Sequence, residues 1–216
     1  MTEPYRMRTR PKAIPQSLRT LLAEVETATI GHFEYVGFIG ALITPVFPAK
    51  AIGTAITVAA PGRDGTVIYK AIDLLTPGDA LVISRVDQDD VACVGGGVVA
   101  AARARGAVAV IVDGPCTDVE EIRASQFPVW CRGVSSKTTS RRHQIGGAIN
   151  VPIACGGSAV LPGYAVLADN EGVFVAEPSH MRRVADFALK RQRHSLQQRP
   201  HLEAGHSIFD LDQVVS

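Results

Sequence analysis

The stretch that decides the fold is Val91–Asp118, with the sequence VACVGGGVVAAARARGAVAVIVDGPCTD. Three consecutive glycines at 95–97 open a run of valine, alanine and arginine that predicts a helix, because Ala and Arg are good helix formers, and Gly106 ends it. The apolar run Ala107–Val112 that follows has the length of a buried strand. The stretch therefore predicts a glycine loop, a helix and a strand in succession, as in an α/β fold.

Both ends of this stretch are suited to binding a ligand, and the glycine loop is suited to binding a small anion. Glycine lets the backbone approach a ligand without a Cβ atom in the way, and the first turn of a helix carries N–H groups that lack intrahelical partners. Asp113-Gly114-Pro115 ends the strand, so Cys116, Thr117 and Asp118 follow its C-terminal end, where ligands of open α/β sheets usually bind. The glycine triplet alone is a weak signal, since it has neither the spacing of a dinucleotide loop nor the lysine of a P-loop.

Two of these residues also have ordinary structural roles open to them. Asp118-Val119-Glu120-Glu121 has the D-x-x-E form of a capping box before a short helix, and spacing alone favours that role for Asp118. Cys116 is more typical of a buried, inert cysteine than of a reactive one. The sequence pattern leaves these alternatives open.

Composition limits the class of protein. A chain of 216 residues with 46% hydrophobic content can bury one sizeable core, so one domain with extensions is expected. The net charge of +1 gives no reason to expect a nucleic-acid partner. The four cysteines form no CxxC pair, and no apolar run approaches the roughly 20 residues of a membrane span. We therefore expect reduced thiols and a soluble, cytoplasmic protein without a membrane partner.

The remaining chain alternates strands and helices up to residue 131 and is mostly β from Gly146 onward, which predicts an α/β sandwich with a mixed sheet. We predict a flexible basic arm at 1–14, one α/β domain at 15–193, and a C-terminal extension at 194–216 that lies on the surface or on a neighbouring subunit. Ser179 is predicted to cap the last helix, which should end near Arg193. Three further helices are predicted: one that begins at Pro15, one at Thr66–Leu75, and a short one after Asp118 that ends near Gln126. The predicted strands are Ala51–Ala59, Ala80–Ser84, Phe127–Cys131, Ile149–Ala154, Ala165–Ala168 and Val173–Ala176.

Several motifs carry a family resemblance. The segments are PGD-x-LV at Pro77–Val82, the glycine-rich run that ends in DG-x-x-x-D at Asp118, FPV-x-x-RG-x-S at Phe127–Ser135, and N-VP-I-x-x-GG followed by PG, AD and GV over 150–173. In one register from about residue 15 to 178, the chain resembles the family of 4-hydroxy-4-methyl-2-oxoglutarate aldolases and RraA-like regulators of ribonuclease E. The resemblance implies a swivelling β/β/α-type sandwich that assembles as a homotrimer or a dimer of trimers, with the active site at a subunit interface.

The resemblance also implies a site that binds a small carboxylic acid, a pyruvate-like 2-oxo acid, together with a divalent metal, usually Mg²⁺ or else Mn²⁺. The metal-binding aspartate falls on Asp118, and the substrate loop falls on Gly95, Gly96, Gly97 and Val98. Two positions depart from the family pattern. Its acidic residue in the glycine loop aligns with Gly96 or Gly97, and the arginine that binds substrate, immediately before the aspartate, is Thr117.

These departures affect the chemistry, because an enolate formed by carbon–carbon cleavage needs a cation to stabilise it and an acid to protonate it. Thr117 can donate a hydrogen bond but cannot make the forked contact of a guanidinium with a carboxylate. Substitutes nominated from the sequence are Arg132, which we also expect to bind substrate, or Lys137 as the cation, Asp89 or Asp90 as the acid, and Cys116 as a new reactive group.

Two functions are compatible with these residues. The first is a metal-dependent, lyase-type enzyme acting on a 2-oxo or hydroxy acid by aldol cleavage, decarboxylation or redirected enolate chemistry, with Asp118, Thr117 and Cys116 as its catalytic candidates. The second is a non-catalytic regulatory protein that acts through a protein partner.

Overall fold

The computed structural model describes residues 4–87, 90–142 and 145–211. Its strands are β1 (Tyr5–Met7), β2 (Phe38–Ile39), β3 (Thr44–Pro45), β4 (Ala51–Ala60), β5 (Asp79–Arg85), β6 (Ala109–Asp113), β7 (Val129–Cys131), β8 (Gly147–Ile149), β9 (Ile153–Cys155), β10 (Ser158–Val160), β11 (Ala165–Ala168) and β12 (Val173–Ala176). Its helices are α1 (Gln16–Ala23), α2 (Thr27–Ile30), α3 (Thr66–Ile72), α4 (Gly96–Ala104), α5 (Val119–Ser125) and α6 (Pro178–Glu203), followed by a short 3₁₀-helix, Ile208–Asp210.

The longest strand, β4, is the centre of a ten-stranded mixed sheet. One edge of β4 pairs with β11 and β8, both antiparallel, and the other edge pairs with β5 in parallel. From β4 the sheet continues in parallel through β5, β6 and β7, and the helices α3, α4 and α5 make the crossovers between consecutive strands. The predicted alternation of strands and helices up to residue 131 therefore forms the parallel part of the sheet.

Both faces of the sheet are covered. Along β5, Leu81 and Ile83 pack with helices α3, α4 and α5, whereas Ala80 and Val82 on the opposite face pack with the hairpin of β9 and β10. Helices α1, α2 and α6 cover β11 and β12 through a further apolar cluster, in which Phe174 is fully buried. The layers are a hairpin, a sheet and a set of helices, in agreement with the predicted β/β/α-type sandwich.

Two predictions are corrected, one for the N-terminal arm and one for the strand that begins at Ile149. The basic arm is ordered in its described part, because β1 pairs in parallel with β8 and Arg10 forms an ion pair with the buried Asp79. The strand predicted at Ile149–Ala154 is divided at Asn150, whose backbone is left-handed with φ of 55° and whose side-chain amide donates to the carbonyl of Arg8. A left-handed residue interrupts a strand, so β8 and β9 are separate.

The last helix also differs from its prediction. The carboxylate of Glu177, not Ser179, caps it by accepting hydrogen bonds from the N–H groups of Ser179 and His180. The helix runs to Glu203, ten residues past its predicted end, so much of the extension is helical. Its buried residues all lie between Met181 and Ala188. The rest of the helix is polar but consists mainly of good helix formers, and because it lacks apolar periodicity, the sequence pattern did not indicate that the helix continues. The helices among the described residues are all too short or too polar to span a membrane.

Candidate functional site

A pocket of about 180 Å³ lies where the parallel strands end and their crossover helices begin. Helix α3, the glycine loop before α4, the loop after β6 and the segment 138–141 form its walls. Its lining residues are Tyr69, Cys93, Gly95, Gly97, Val98, Thr117, Asp118, Thr138, Thr139 and Arg141. The structure thus brings together Gly95, Gly97, Val98, Thr117 and Asp118, which the sequence nominated from two separate segments.

The glycine loop is shaped by close approach rather than by left-handed backbone. Gly95 has an extended backbone with φ of −147°, and a Cβ atom there would lie 2.5 Å from Oδ2 of Asp118. A Cβ atom at Gly96 would collide with the Glu121 carboxylate, whereas one at Gly97 would meet nothing nearer than the Tyr69 hydroxyl, at 3.4 Å. Gly96 accordingly faces the side chain of Glu121, whereas Gly97 has room for a side chain beside the pocket.

Asp118 occupies the N-cap position of α5 but does not cap that helix. Its backbone is left-handed, with φ of 54°, and its carboxylate accepts no hydrogen bond from the first turn of α5. Oδ2 instead accepts a hydrogen bond of 3.0 Å from the N–H of Gly96, at the start of α4. The capping box predicted from D-x-x-E is therefore wrong, and the exposed carboxylate of Asp118 lies beside the positive end of the α4 dipole.

The loop that carries Asp118 is held by backbone pairing. The N–H of Cys116 donates to the carbonyl of Gly133, and the N–H of Thr117 donates to the carbonyl of Val94, at 3.0 and 2.9 Å. The hydroxyl of Thr117 lies 3.3 Å from Oδ1 of Asp118. The loop after β6 and the glycine loop are thus joined directly, which fixes Thr117 and Asp118 relative to the first turn of α4.

Cys116 lies beneath the pocket rather than in its wall. It is fully buried, and its Sγ is 3.3 Å from the Sγ of the buried Cys131, which donates the hydrogen bond. That hydrogen bond holds the pKa of Cys116 below its usual value and raises the pKa of Cys131. Because a nucleophile must reach its substrate, the burial of Cys116 speaks against the catalytic role nominated from the sequence and agrees with the alternative of a structural cysteine.

Three of the nominated cations and acids, Arg132, Lys137 and Asp90, do not line the pocket. Arg132 donates to the Asp113 carboxylate, which also accepts a 2.7 Å hydrogen bond from the N–H of Gly156. Lys137 forms an ion pair of 2.5 Å with Asp90 at the surface. This contact keeps the pKa of Asp90 low, so that residue is ionised near neutral pH and has no proton to donate. Asp89 lies outside the described residues.

Five lining residues were not nominated from the sequence: Tyr69, Cys93, Thr138, Thr139 and Arg141. Tyr69 lies on α3, and its ring stacks under the guanidinium of Arg141 at 5.3 Å. The only signal in the sequence is the polar run Thr138–Arg142, TTSRR, after the RG-x-S motif. Its position beside the glycine loop depends on backbone pairing with Ala92, which no local pattern reveals.

The residues present fit a magnesium ion that keeps most of its water. Within residues 4–87, 90–142 and 145–211, no three His, Cys, Asp or Glu side chains are grouped to hold a metal. Mg²⁺ is commonly bound through one or two carboxylates, with water and substrate oxygens completing its shell. In Asp118, Oδ2 accepts one hydrogen bond from an N–H group, and Oδ1 makes one long contact with a hydroxyl group. The exposed carboxylate therefore keeps further lone pairs that can bind a cation.

Comparison with known proteins gives consistent matches. The RraA-like family model, described as Aldolase/RraA, matches residues 32–175. A protein of Halalkalibacterium halodurans named "Putative 4-hydroxy-4-methyl-2-oxoglutarate aldolase" is 34% identical over 66% of this chain and 67% of its own length. A protein of the same name from Hahella chejuensis is 31% identical over 55% of this chain and 72% of its own length.

A solved structure shows the same fold. The crystal structure of Streptomyces coelicolor RraAS2, described as an unusual member of the RNase ES inhibitor RraA protein family, covers 89% of this chain and 98% of its own, with 26% identity and a TM-score of 0.75. This similarity confirms the mixed α/β architecture predicted from the sequence.

Proposed function

The chain belongs to the RraA-like family, and from this premise we propose that it is a slow, metal-dependent lyase that binds a small 2-oxo acid. The observation that carries the proposal is the position of Asp118. Its carboxylate and the first turn of α4 line one pocket of about 180 Å³, so a cation and a small carboxylate could be bound side by side.

The residues of this chain supply binding and orientation. Asp118 would hold the metal, and the N–H groups of Gly97 and Val98, in the first turn of α4, would face the substrate carboxylate. The hydroxyl of Thr117 adds one neutral donor. A bound Mg²⁺ would act as a Lewis acid that polarises the 2-oxo group.

The proposed reaction is decarboxylation of a 2-oxo dicarboxylate. Aldol cleavage must first remove a proton from a hydroxyl group, and Asp118, the one carboxylate lining the described pocket, is assigned to the metal. Decarboxylation needs no such base: the bond to the leaving carboxylate breaks, its electron pair enters the enolate, CO₂ departs, and water supplies the proton. Since Asp118 is the one carboxyl group among the described lining residues and is assigned to the metal, no carboxylic acid assists the last step, and the reaction should be slow.

The test is oxaloacetate decarboxylation with and without Mg²⁺, corrected for the rate with the metal alone. Wild type should exceed that background but remain well below the roughly 10 per second of a typical enzyme. Asp118→Asn should return the rate to background because the metal ligand is lost, whereas Asp186→Asn, on the exposed face of α6, should not change it. Equal metal-dependent rates for wild type and Asp118→Asn would refute the proposal.

A second function, a non-catalytic regulator that acts on a protein partner, is favoured by one observation. Thr117 departs from the family pattern and lines the pocket, as does Gly97, one of the two glycines with which the family's acidic residue aligns, so the changes fall where catalysis would suffer. Under this alternative, neither Mg²⁺ nor Mn²⁺ with pyruvate or oxalate should stabilise the protein.

A further inference from the structure

We propose that Arg141 is the cation that binds the substrate carboxylate in this pocket, in place of the guanidinium absent at Thr117. The inference rests on the proposed function, because it assigns a residue to the carboxylate of the same 2-oxo acid. It gives the pocket a positive side chain that comes from the segment after Ser140 and not from the loop after β6.

The guanidinium of Arg141 is held at the pocket by an aromatic side chain. It lies over the ring of Tyr69 at 5.3 Å from the centroid, and both residues line the pocket. The Tyr69 hydroxyl is 3.4 Å from the position of a Cβ atom at Gly97. The stacking therefore holds the guanidinium at a pocket that the first turn of α4 also lines, where the free N–H groups attract an anion as well.

The backbone around Arg141 is anchored on both sides. The N–H of Thr139 donates to the carbonyl of Ala92 at 3.0 Å, and the carbonyl of Ser140 accepts from the N–H of Gly65 at 2.7 Å. After Arg141, the N–H of Arg142 donates to the Asp64 carboxylate at 3.3 Å. Because these contacts fix the segment against the glycine loop and α3, the Arg141 side chain begins from a fixed point at the pocket.

The charges of the pocket do not neutralise each other. Arg132 and Lys137 each pair with a carboxylate outside it, but among the described residues no carboxylate makes an ion pair with Arg141. Arg141 and Asp118 line the same pocket without such a contact. A pocket with a carboxylate at one side and a guanidinium at the other complements a ligand that is itself a cation with an anion: a metal ion chelated by a 2-oxo acid.

Oxalate binding at saturating Mg²⁺, measured by calorimetry, tests the inference with Arg141→Gln. Loss of a charge-assisted, forked contact should weaken oxalate binding by roughly 10- to 100-fold. The affinity for Mg²⁺ alone should not change, because Asp118 is intact. Arg142→Gln removes the neighbouring arginine, which is also exposed but does not line the pocket, and should leave both affinities unaltered.

Two further variants separate a binding role from a structural one. Arg141→Lys keeps the charge without the fork and should give an intermediate oxalate affinity. Thr117→Arg, added to Arg141→Gln, should restore much of the lost affinity by supplying a guanidinium from the other wall. Unchanged oxalate affinity in Arg141→Gln would overturn the inference while leaving the proposed function intact, whereas wild type that binds neither Mg²⁺ nor oxalate would overturn both.

Discussion

Asp118 has a left-handed backbone, and its carboxylate accepts a hydrogen bond from Gly96, 22 residues earlier in the chain. A residue with a Cβ atom in this region is uncommon, and such residues concentrate at functional sites. The D-x-x-E pattern predicted a cap because it assumes an extended N-cap backbone. The sequence could therefore nominate Asp118 for a site but could not show which helix its carboxylate faces.

Gly95 and Gly97 provide a matched pair of substitutions. A Cβ atom at Gly95 would lie 2.5 Å from the Asp118 carboxylate, whereas one at Gly97 would meet nothing nearer than the Tyr69 hydroxyl, at 3.4 Å. Gly95→Ala should therefore displace the carboxylate and weaken Mg²⁺ binding by roughly 10-fold or more, the loss of about 1.4 kcal/mol of interaction. Gly97→Ala should bind Mg²⁺ as wild type does. Calorimetric titration with Mg²⁺ measures both variants.

Circular dichroism supplies the control, since both variants should keep the wild-type spectrum. Equal Mg²⁺ affinities for Gly95→Ala and Gly97→Ala would mean that the carboxylate of Asp118 is not the metal ligand.

The site was only partly predictable at the level of residues. Gly95, Gly97, Thr117 and Asp118 were nominated because glycine loops and strand ends have local signatures, and Val98 was nominated through the family resemblance; all five line the pocket. Tyr69 and Arg141 were missed because they reach the pocket through tertiary contacts, the stacking of a guanidinium on a ring and the pairing of Thr139 with Ala92. Such contacts join segments that are far apart in sequence.

At the scale of elements, the parallel strands β4 to β7 and their crossover helices were predictable because each has its own apolar periodicity and turn residues. The short edge strands β2 and β3, of two residues each, carry no such pattern. The division between β8 and β9 depends on the conformation of Asn150, and the length of α6 depends on helix propensity beyond its buried face. Local patterns thus predicted the buried elements and missed those defined by a single backbone angle or an exposed surface.

At the scale of the whole molecule, large apolar side chains remain exposed. Among the described residues they include Tyr35, Val36, Leu42, Val134, Leu196 and Phe209, each more than half exposed. Contiguous exposed apolar surface often marks contacts between subunits, and Tyr35 and Val36 are neighbours in the chain. We propose that copies of this chain cover part of it in a homotrimer or a dimer of trimers, as the family resemblance implied.

Light scattering at micromolar concentration measures the assembly directly. The expected mass is three or six times that of one chain of 22.9 kDa. A mass equal to a single chain would refute the proposed assembly.

The most direct test of the central claim, that Asp118 and the glycine loop bind a metal with a 2-oxo acid, is thermal unfolding with Mg²⁺ or Mn²⁺ and oxalate. A ligand that binds only the folded state raises its stability, by about 2.7 kcal/mol when the ligand is 100-fold above its Kd. We predict that metal and oxalate together raise the Tm of wild type by several degrees, and that Asp118→Asn shows no such rise. An unchanged Tm for wild type with every combination of metal and acid would contradict the claim.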